Sequence, residues 1–594
     1  MAGANGLGST TVHGQTGEIR PRQEKLTGRA FYESLGSPKM VLAPMVDQSE
    51  FAWRMLTRSF LDESPNGSQA AILTYTPMLH ARLFAETPKV REQAFQPLKT
   101  PWSELSEDQL ASQRDFFLDG NPDLDRPLFV QFCANDPDEL FRAAKYVEPF
   151  CDAVDLNLGC PQGIAKKGNY GAFLQDDWDL VYKLINRLHQ GLSVPVTAKI
   201  RILETKEKTL EYAQVVLAAG ASILTVHGRQ RDQKGHNTGL ADWSVIRYLR
   251  DSLPADTVLF ANGNILRHSD IEACLEATGV DGIMSAEGNL SDPSIFAAPP
   301  SLQGRDSREY WQGRDEQSSG WRMDAVMRRY MDIIYKYVLE TNPPERRPLF
   351  LPSDHVDATL GESNGTLNEQ SAEEEQSSKK RKREEVQKAR SPNLMSMQAH
   401  LFSLLKPLVA KHTNVRDALA RCRGGDIPAF ERVLTLVEAA TKQGLSEYVA
   451  SQETQPLAKG IPPTTTGASS ITEEAPTKPT ADLVRKPYFL CQPYVRPLPA
   501  EAIAKGSMTI SKKERRRLAM EAEQASKEKE DKLAKDAGLV PGGTTELETV
   551  GATERETGQE DEKGHRDQRR RLSPQAKEDE GSNVEVPRQG LVCG

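Results

Sequence analysis

Eight short, apolar and largely β-branched runs recur between residues 41 and 285, and most neighbours are separated by one amphipathic helical stretch. They are VLAPM (41–45), AILTY (71–75), PLFVQF (127–132), AVDLNL (153–158), PVTAKI (195–200), SILTV (222–226), TVLFAN (257–262) and DGIMS (281–285). Helical period is clearest over 177–190, 209–220 and 269–279. Eight strand–helix units in roughly 250 residues predict an α/β fold closed as a (β/α)8 TIM barrel. The interval from Tyr75 to Pro127 is too long for one helix and predicts an elaborated loop.

Each run ends in polar or turn-forming residues, and a parallel barrel gathers those ends on the face where chemistry is done. The sharpest case is AVDLNLGCPQGIAKKGNYGAFL, residues 153–174. Asp155 and Asn157 point the same way along an extended strand. Gly159-Cys160-Pro161 then ends both strand and helix options, leaving the Cys160 thiol and the Asn157 amide at the strand's carboxyl end. Glycines at 163, 168 and 171 let the backbone approach a partner closely, so the stretch reads as a catalytic loop. Cys133 is near another strand end without such a partner, and Cys151 lies at a strand entrance; both read as core. Cys422 reads as a helix-packing residue, while Arg229 and His236 face the same rim with RNA contact or no role equally open.

Apolar residues make up 38% of the 594 and charged residues 27%, a balance that predicts folded parts joined to disordered ones. The expected organisation is a disordered N-terminus (1–30), the barrel (31–300), a helical domain (318–450) and a disordered charged tail (451–594). A Glu/Ser/Lys-rich insert at 353–392, expected to be disordered, interrupts the helical domain. Residues 486–499 are aromatic and Pro-rich and read as a short docking segment; 511–534 read as a charged helix with RNA contact. Within 393–445 seven Lys/Arg face four acids, a small positive surplus in a chain of net charge −9. That net charge excludes coating nucleic acid over the whole surface but leaves a local basic patch open.

The seven cysteines form no C-x-x-C pair, so neither structural zinc nor an iron–sulfur cluster is expected, and no metal site. Their odd, scattered placement fits a reducing compartment. With no apolar run of about 18 residues, a soluble, non-membrane, monomeric protein is expected. KKRKR (379–383) makes the expected location cytoplasmic, nuclear or both.

At the strand ends, Lys199 offers a fixed positive charge, Gln131 and Asn262 offer amides, and His227 offers a ring that can hold an anion or position a base. Gly263 and Gly288 expose backbone N–H groups, and SDPSIF reads as a helix start capped by Ser291, beside the barrel's usual phosphate site. A cation, amides and a phosphate cradle fit flavin mononucleotide, with Lys199 stabilising the reduced, anionic ring.

APMVDQSEFAWR (43–54), the 153–174 stretch, TAKIR (197–201), TVHGRQRDQKG (225–235), FANGNI (260–265) and MSAEGNL (284–290) together resemble the tRNA-dihydrouridine synthase family. LNLGCPQGIAKKGNYGAFL and MSAEGN most resemble its eukaryotic branch acting on D-loop uridines 16 and 17. The resemblance covers about residues 37–300. It implies an FMN barrel that reduces the C5–C6 double bond of uridine in tRNA, with NADPH (or NADH) re-reducing the flavin. It implies Cys160 as proton donor to C5, opposite a hydride delivered to C6. Pro44, Met45, Val46, Gln131, Lys199, His227, Asn262, Gly263, Asn264, Ala286 and Glu287 match its flavin-binding positions, and Asn157 and Arg201 those that hold the uracil. The chain departs from the bacterial pattern at Ala286-Glu287, where Gly-Arg is usual, so only the Glu287 backbone would serve a phosphate. The helical domain resembles the family's tRNA-docking domain. Two other readings compete: a flavin barrel acting on a small molecule, against which the extra helical domain argues, and a silent RNA-binding barrel, against which the intact Cys160, Lys199, His227 and Asn262 argue.

Overall fold

The computed structural model describes residues 25–61, 72–105, 115–300, 308–315, 318–354, 391–454 and 486–496. Nine strands among them form one parallel sheet: β1 (Met40–Leu42), β2 (Ile72–Tyr75), β3 (Leu79–His80), β4 (Leu128–Cys133), β5 (Ala153–Leu158), β6 (Val196–Arg201), β7 (Ala221–His227), β8 (Val258–Asn262) and β9 (Gly282–Ser285). β1 pairs with both β2 and β9, and β2 pairs with β4, so the sheet closes into an eight-stave barrel. β3 is a two-residue addition paired with the end of β4. The long staves are buried throughout, as expected where helices cover the outside of a parallel sheet.

The covering helices follow their strands as the sequence period requires, including Phe51–Arg58, Pro137–Val147, Trp178–Gly191, Lys206–Ala218, Trp243–Ser252 and Ser269–Thr278. Three begin at an aspartate that caps two free amides or one: Asp136, Asp177 and Asp242. The elaborated interval after β2 holds β3, the helices Ala81–Glu86 and Pro88–Ala94, and a 3-10 turn at Trp102–Glu104. After β9 the sequence expectation needs correcting. The helix at the mouth runs Glu287–Ser291 and ends at Ser291; Asp292 then accepts from the Ser294 amide, turning the chain where a helix start was expected.

The helical region comprises Met323–Ile333, which continues as a π turn over Ile334–Val338, then Pro392–Met395, Met397–Leu404, Lys406–Lys411, Thr413–Arg421 and Ile427–Thr454. It joins the barrel through a buried polar seam. His400 stacks flat on Trp53 (3.9 Å between ring centroids) and bonds the Glu50 carboxylate at 2.9 Å. Asn393 accepts from the Ala52 amide at 2.8 Å, and Trp53 donates to Asn289 of the mouth helix at 2.8 Å. Residues 486–496, inside the expected tail, pack on this same body: the Met323 amide donates to the Phe489 carbonyl, the Cys491 amide to the Trp321 carbonyl, and Phe489, Leu490 and Cys491 are buried. The rest of the tail from 455, residues 1–24 and nearly all of the insert, KKRKR included, lie outside the described residues. Among the described residues no helix is long and apolar enough to cross a membrane, and no cluster of His, Cys, Asp and Glu could hold a metal.

Arg54 ties the first covering helix to the elaborated loop. Fully buried, it donates to Asp125 at 2.9 Å, to Asp119 at 2.7 Å and to the Ser49 carbonyl at 2.7 Å. Removing Asp125 takes away two of the guanidinium's hydrogen bonds and leaves Asp119 as its remaining carboxylate, and breaking a buried pair from one side costs about 3–5 kcal/mol. Asp125→Ala is therefore expected to lower unfolding free energy by about that much in denaturant titration; a loss below ~1 kcal/mol would contradict the assignment.

Candidate active site at the barrel mouth

Sheet register brings the strand-end side chains together. Asn157 is level with Lys199, Arg201 with His227, and His227 with Asn262. Below them Asp155, level with Gln131 on one side and Thr197 on the other, accepts from Gln131 Nε2 at 2.8 Å and from Thr197 Oγ1 at 2.6 Å. Burial pushes the Asp155 carboxyl up to about 6, against the pull of those two hydrogen bonds and of Lys199. Gln131 Oε1 in turn accepts from Asn157 Nδ2 at 2.8 Å.

Asn157 then shapes the reactive turn. Its Oδ1 accepts from the Gly159 amide at 3.2 Å and the Cys160 amide at 2.9 Å, closing an Asx-type turn that fixes the Cys160 backbone. Both acceptor positions of the oxygen are used, so what Asn157 can still offer an incoming group is one N–H. Arg201 Nε donates to the Gly159 carbonyl at 2.7 Å, bracing the turn from the next strand. Gly171 packs beneath, with φ +67°; a Cβ there would lie 2.7 Å from the Cys160 carbonyl oxygen. Cys160 is buried and clusters with Cys133, Ala165 and Tyr170, so Cys133, expected as core, is buried beside the candidate acid.

Lys199 Nζ donates to Asn262 Oδ1 at 2.9 Å, and Asn262 Nδ2 donates to the Met284 carbonyl at 2.9 Å. Arg229 Nη1 lies 3.1 Å from His227 Nε2; arginine can only donate, so Nε2 accepts and the ring proton is on Nδ1. His227 Nδ1 is buried with no hydrogen-bond partner among the described residues. Burial, then the charges of Arg201, Lys199 and Arg229, hold the His227 pKa well below 6.5, so the ring is neutral. Gly263 has φ +112°, and a Cβ there would come within 2.7 Å of Ala241 and 3.0 Å of His227, leaving backbone as the lining at this point. Asn264, also at positive φ, accepts from Arg229 at 2.8 Å.

Pro44 and Met45 are buried, Val46 is 39% exposed, and Ser49 Oγ accepts from the Met45 amide at 3.0 Å. Ala286 precedes the mouth helix, and Glu287 bonds Arg496 rather than standing free. All the sequence-predicted positions thus fall on one barrel end, at or just past the ends of β1 and β4–β9. Three further residues join them. Asp155 was visible in the strand alternation without an evident task, Arg229 was left open, and Arg496 belongs to a docking segment whose target no local signal names.

The donor set suits a flavin with a phosphate tail: a lysine cation, two amides, an unpartnered buried imidazole N–H and a backbone-lined cradle. One consequence is thermodynamic. Below pH 6.5 the unfolded His227 ring takes up a proton that the buried one refuses, so stability falls as pH falls through that value. His227→Gln removes this term. The drop in melting temperature from about pH 7.5 to about pH 5.5 is expected to be smaller in the variant than in wild type; an equal drop would contradict a buried neutral ring.

The dihydrouridine synthase (Dus) family pattern matches residues 41–351. The chain is 39% identical over 518 residues to the tRNA-dihydrouridine(16/17) synthase [NAD(P)(+)] of Saccharomyces cerevisiae, covering 86% of this chain and 96% of that protein. It is 38% identical to the Schizosaccharomyces pombe protein of the same name, covering 81% of this chain and 94% of that one. A protein of Rattus norvegicus named as like that synthase is 34% identical, over 85% of this chain and 84% of its own length. Matched over more than half its length and aligned nearly end to end with these relatives, the chain belongs to the dihydrouridine synthase family.

Proposed function

We propose that this chain reduces the C5–C6 double bond of uridine to 5,6-dihydrouridine in the D-loop of tRNA, at positions 16 and 17, using FMN and NADPH or NADH. The relatives' names carry the substrate, the positions and the nicotinamide. The observation that carries the chemistry is the Asn157 turn, which presents one buried thiol at a strand end among the flavin-suited donors.

A flavin bound here would supply a hydride for uracil C6. Negative charge then builds at C5 and the C4 carbonyl, and Cys160 Sγ–H gives its proton to C5. The remaining N–H of Asn157 and the guanidinium of Arg201 orient the uracil. Lys199, His227, Gln131 and Asn262 would hold the ring system, Lys199 offering the fixed positive charge. Pro44, Met45 and Val46 supply apolar surface, and Gly263, Asn264, Ala286 and the Glu287 backbone line the phosphate end. The uridine must leave its stack to reach this depth, which costs a few kcal/mol and least in a loop.

The helical region is proposed to dock the tRNA, residues 455–594 apart from the packed 486–496 segment to serve as a tail, the protein to act as a monomer, and its place to be cytoplasm, nucleus or both.

The test is nucleoside mass spectrometry of tRNA from cells lacking the protein, rescued with wild type or Cys160→Ala. Dihydrouridine at positions 16 and 17 is expected to vanish without the protein and to return only with wild type, the variant turning over about 10²–10⁴-fold slower in vitro. Unchanged dihydrouridine would favour a small-molecule substrate, and full rescue by Cys160→Ala would remove the thiol from the mechanism.

A further inference from the structure

The segment 486–496 is tied to the body at several points before it reaches the barrel mouth. Lys486 donates to the Ser319 carbonyl, Leu490 bridges Arg322, and Lys406 Nζ lies 3.0 Å from the centre of the Tyr494 ring. Two residues on, Arg496 donates through Nη2 and Nε to Glu287 Oε1 at 3.0 and 3.2 Å. Glu287 opens the short helix directly after β9, beside the loops that follow β7 and β8.

Charge at this place does not balance. Arg229 is half-buried, and its hydrogen-bond partners among the described residues are neutral: the Gly239 carbonyl, Asn264 and His227. Burial, then Arg201, pushes the Arg229 guanidinium down to about 10, with Glu287 acting against this and Arg496 adding to it. Burial likewise lowers Lys406, with Glu287 opposing and Arg496 reinforcing. Glu287 thus acts on Arg229 and Lys406 as a nearby negative charge, while its hydrogen bonds go to Arg496. On Arg496 the pair uses Nε and Nη2, leaving Nη1 with donors to spend. A barrel places a phosphate group at the loops after its last two staves, here β8 and β9.

We propose that Arg496 is a ligand of the cofactor phosphate, delivered to the mouth by the 486–496 strap from about two hundred residues beyond the barrel strand it serves. Glu287 holds the guanidinium in place, and Arg229 supplies the second cation from the β7 side. Half-exposed Arg496 and Glu287 lie at the open edge of the mouth, where a dianion can reach them. The proposal rests on the flavin reading above and adds that the strap completes the site.

The experiment titrates flavin-free, full-length protein with FMN and, separately, with riboflavin, which lacks the phosphate, following flavin fluorescence. Wild type, Arg496→Ala and Arg496→Lys are compared. A charge-assisted hydrogen bond lost in Arg496→Ala should weaken FMN binding by about tenfold to a hundredfold, leave riboflavin within about twofold, and be partly restored in Arg496→Lys. Equal weakening of both flavins would reduce Arg496 to a structural tie, and unchanged FMN affinity would remove it from the site; either overturns the proposal. Wild type binding neither flavin would instead overturn the flavin reading itself, and this one with it.

Discussion

One buried relay of hydrogen bonds, from Thr197 through Asp155, Gln131 and Asn157 to the Cys160 amide, underlies the mouth of this barrel. A carboxylate at zero exposure is costly unless its lone pairs are engaged, and the raised pKa of Asp155 shows part of that cost remaining. Its partners are thereby fixed. Gln131 can offer its oxygen to Asn157 only because its nitrogen is committed to Asp155, and Asn157 can close the turn only because its own nitrogen is held by Gln131. A chain of donors and acceptors with no rotational choice left ends on the backbone of one thiol. The reactive geometry is set three residues away from the thiol that uses it.

The second element is the way the helical region steadies the same end of the barrel. Trp53 links three parts at once: its ring carries His400, its N–H bonds Asn289 of the mouth helix, and its edge meets Tyr330. Arg54, next in sequence, binds the loop after β2 through two aspartates. The helix carrying both residues directly follows the Pro44–Val46 loop, so barrel packing, helical docking and the mouth's apolar edge share one rigid support. With Arg496 reaching Glu287, segments from four distant parts of the chain converge on one rim.

Much of this was legible in the sequence because it is local. Strand period and turn chemistry placed β5 at residues 153–158, as observed, and the other staves within a residue or two at most ends. The strand-end residues had to converge once the barrel closed, so their grouping followed from topology. What was not legible is what depends on distant partners. Ser291 looked like a cap until Asp292 took the following turn. Asn157 looked like a substrate ligand alone, whereas most of its hydrogen-bonding capacity is spent on the loop. Arg496 carries no periodic or spacing signal, since its meaning lies in a carboxylate 209 residues away.

The measurement that reaches the central claim most directly is an anaerobic half-reaction. Full-length protein loaded with FMN is reduced with NADPH, and recovery of the flavin's visible absorbance is followed on mixing with tRNA. Unmodified tRNA should reoxidise the flavin with one dihydrouridine formed per flavin consumed, while tRNA already carrying dihydrouridine in its D-loop should leave it reduced. Equal reoxidation by both tRNAs, or by neither, would contradict a barrel whose electrons are destined for uridine.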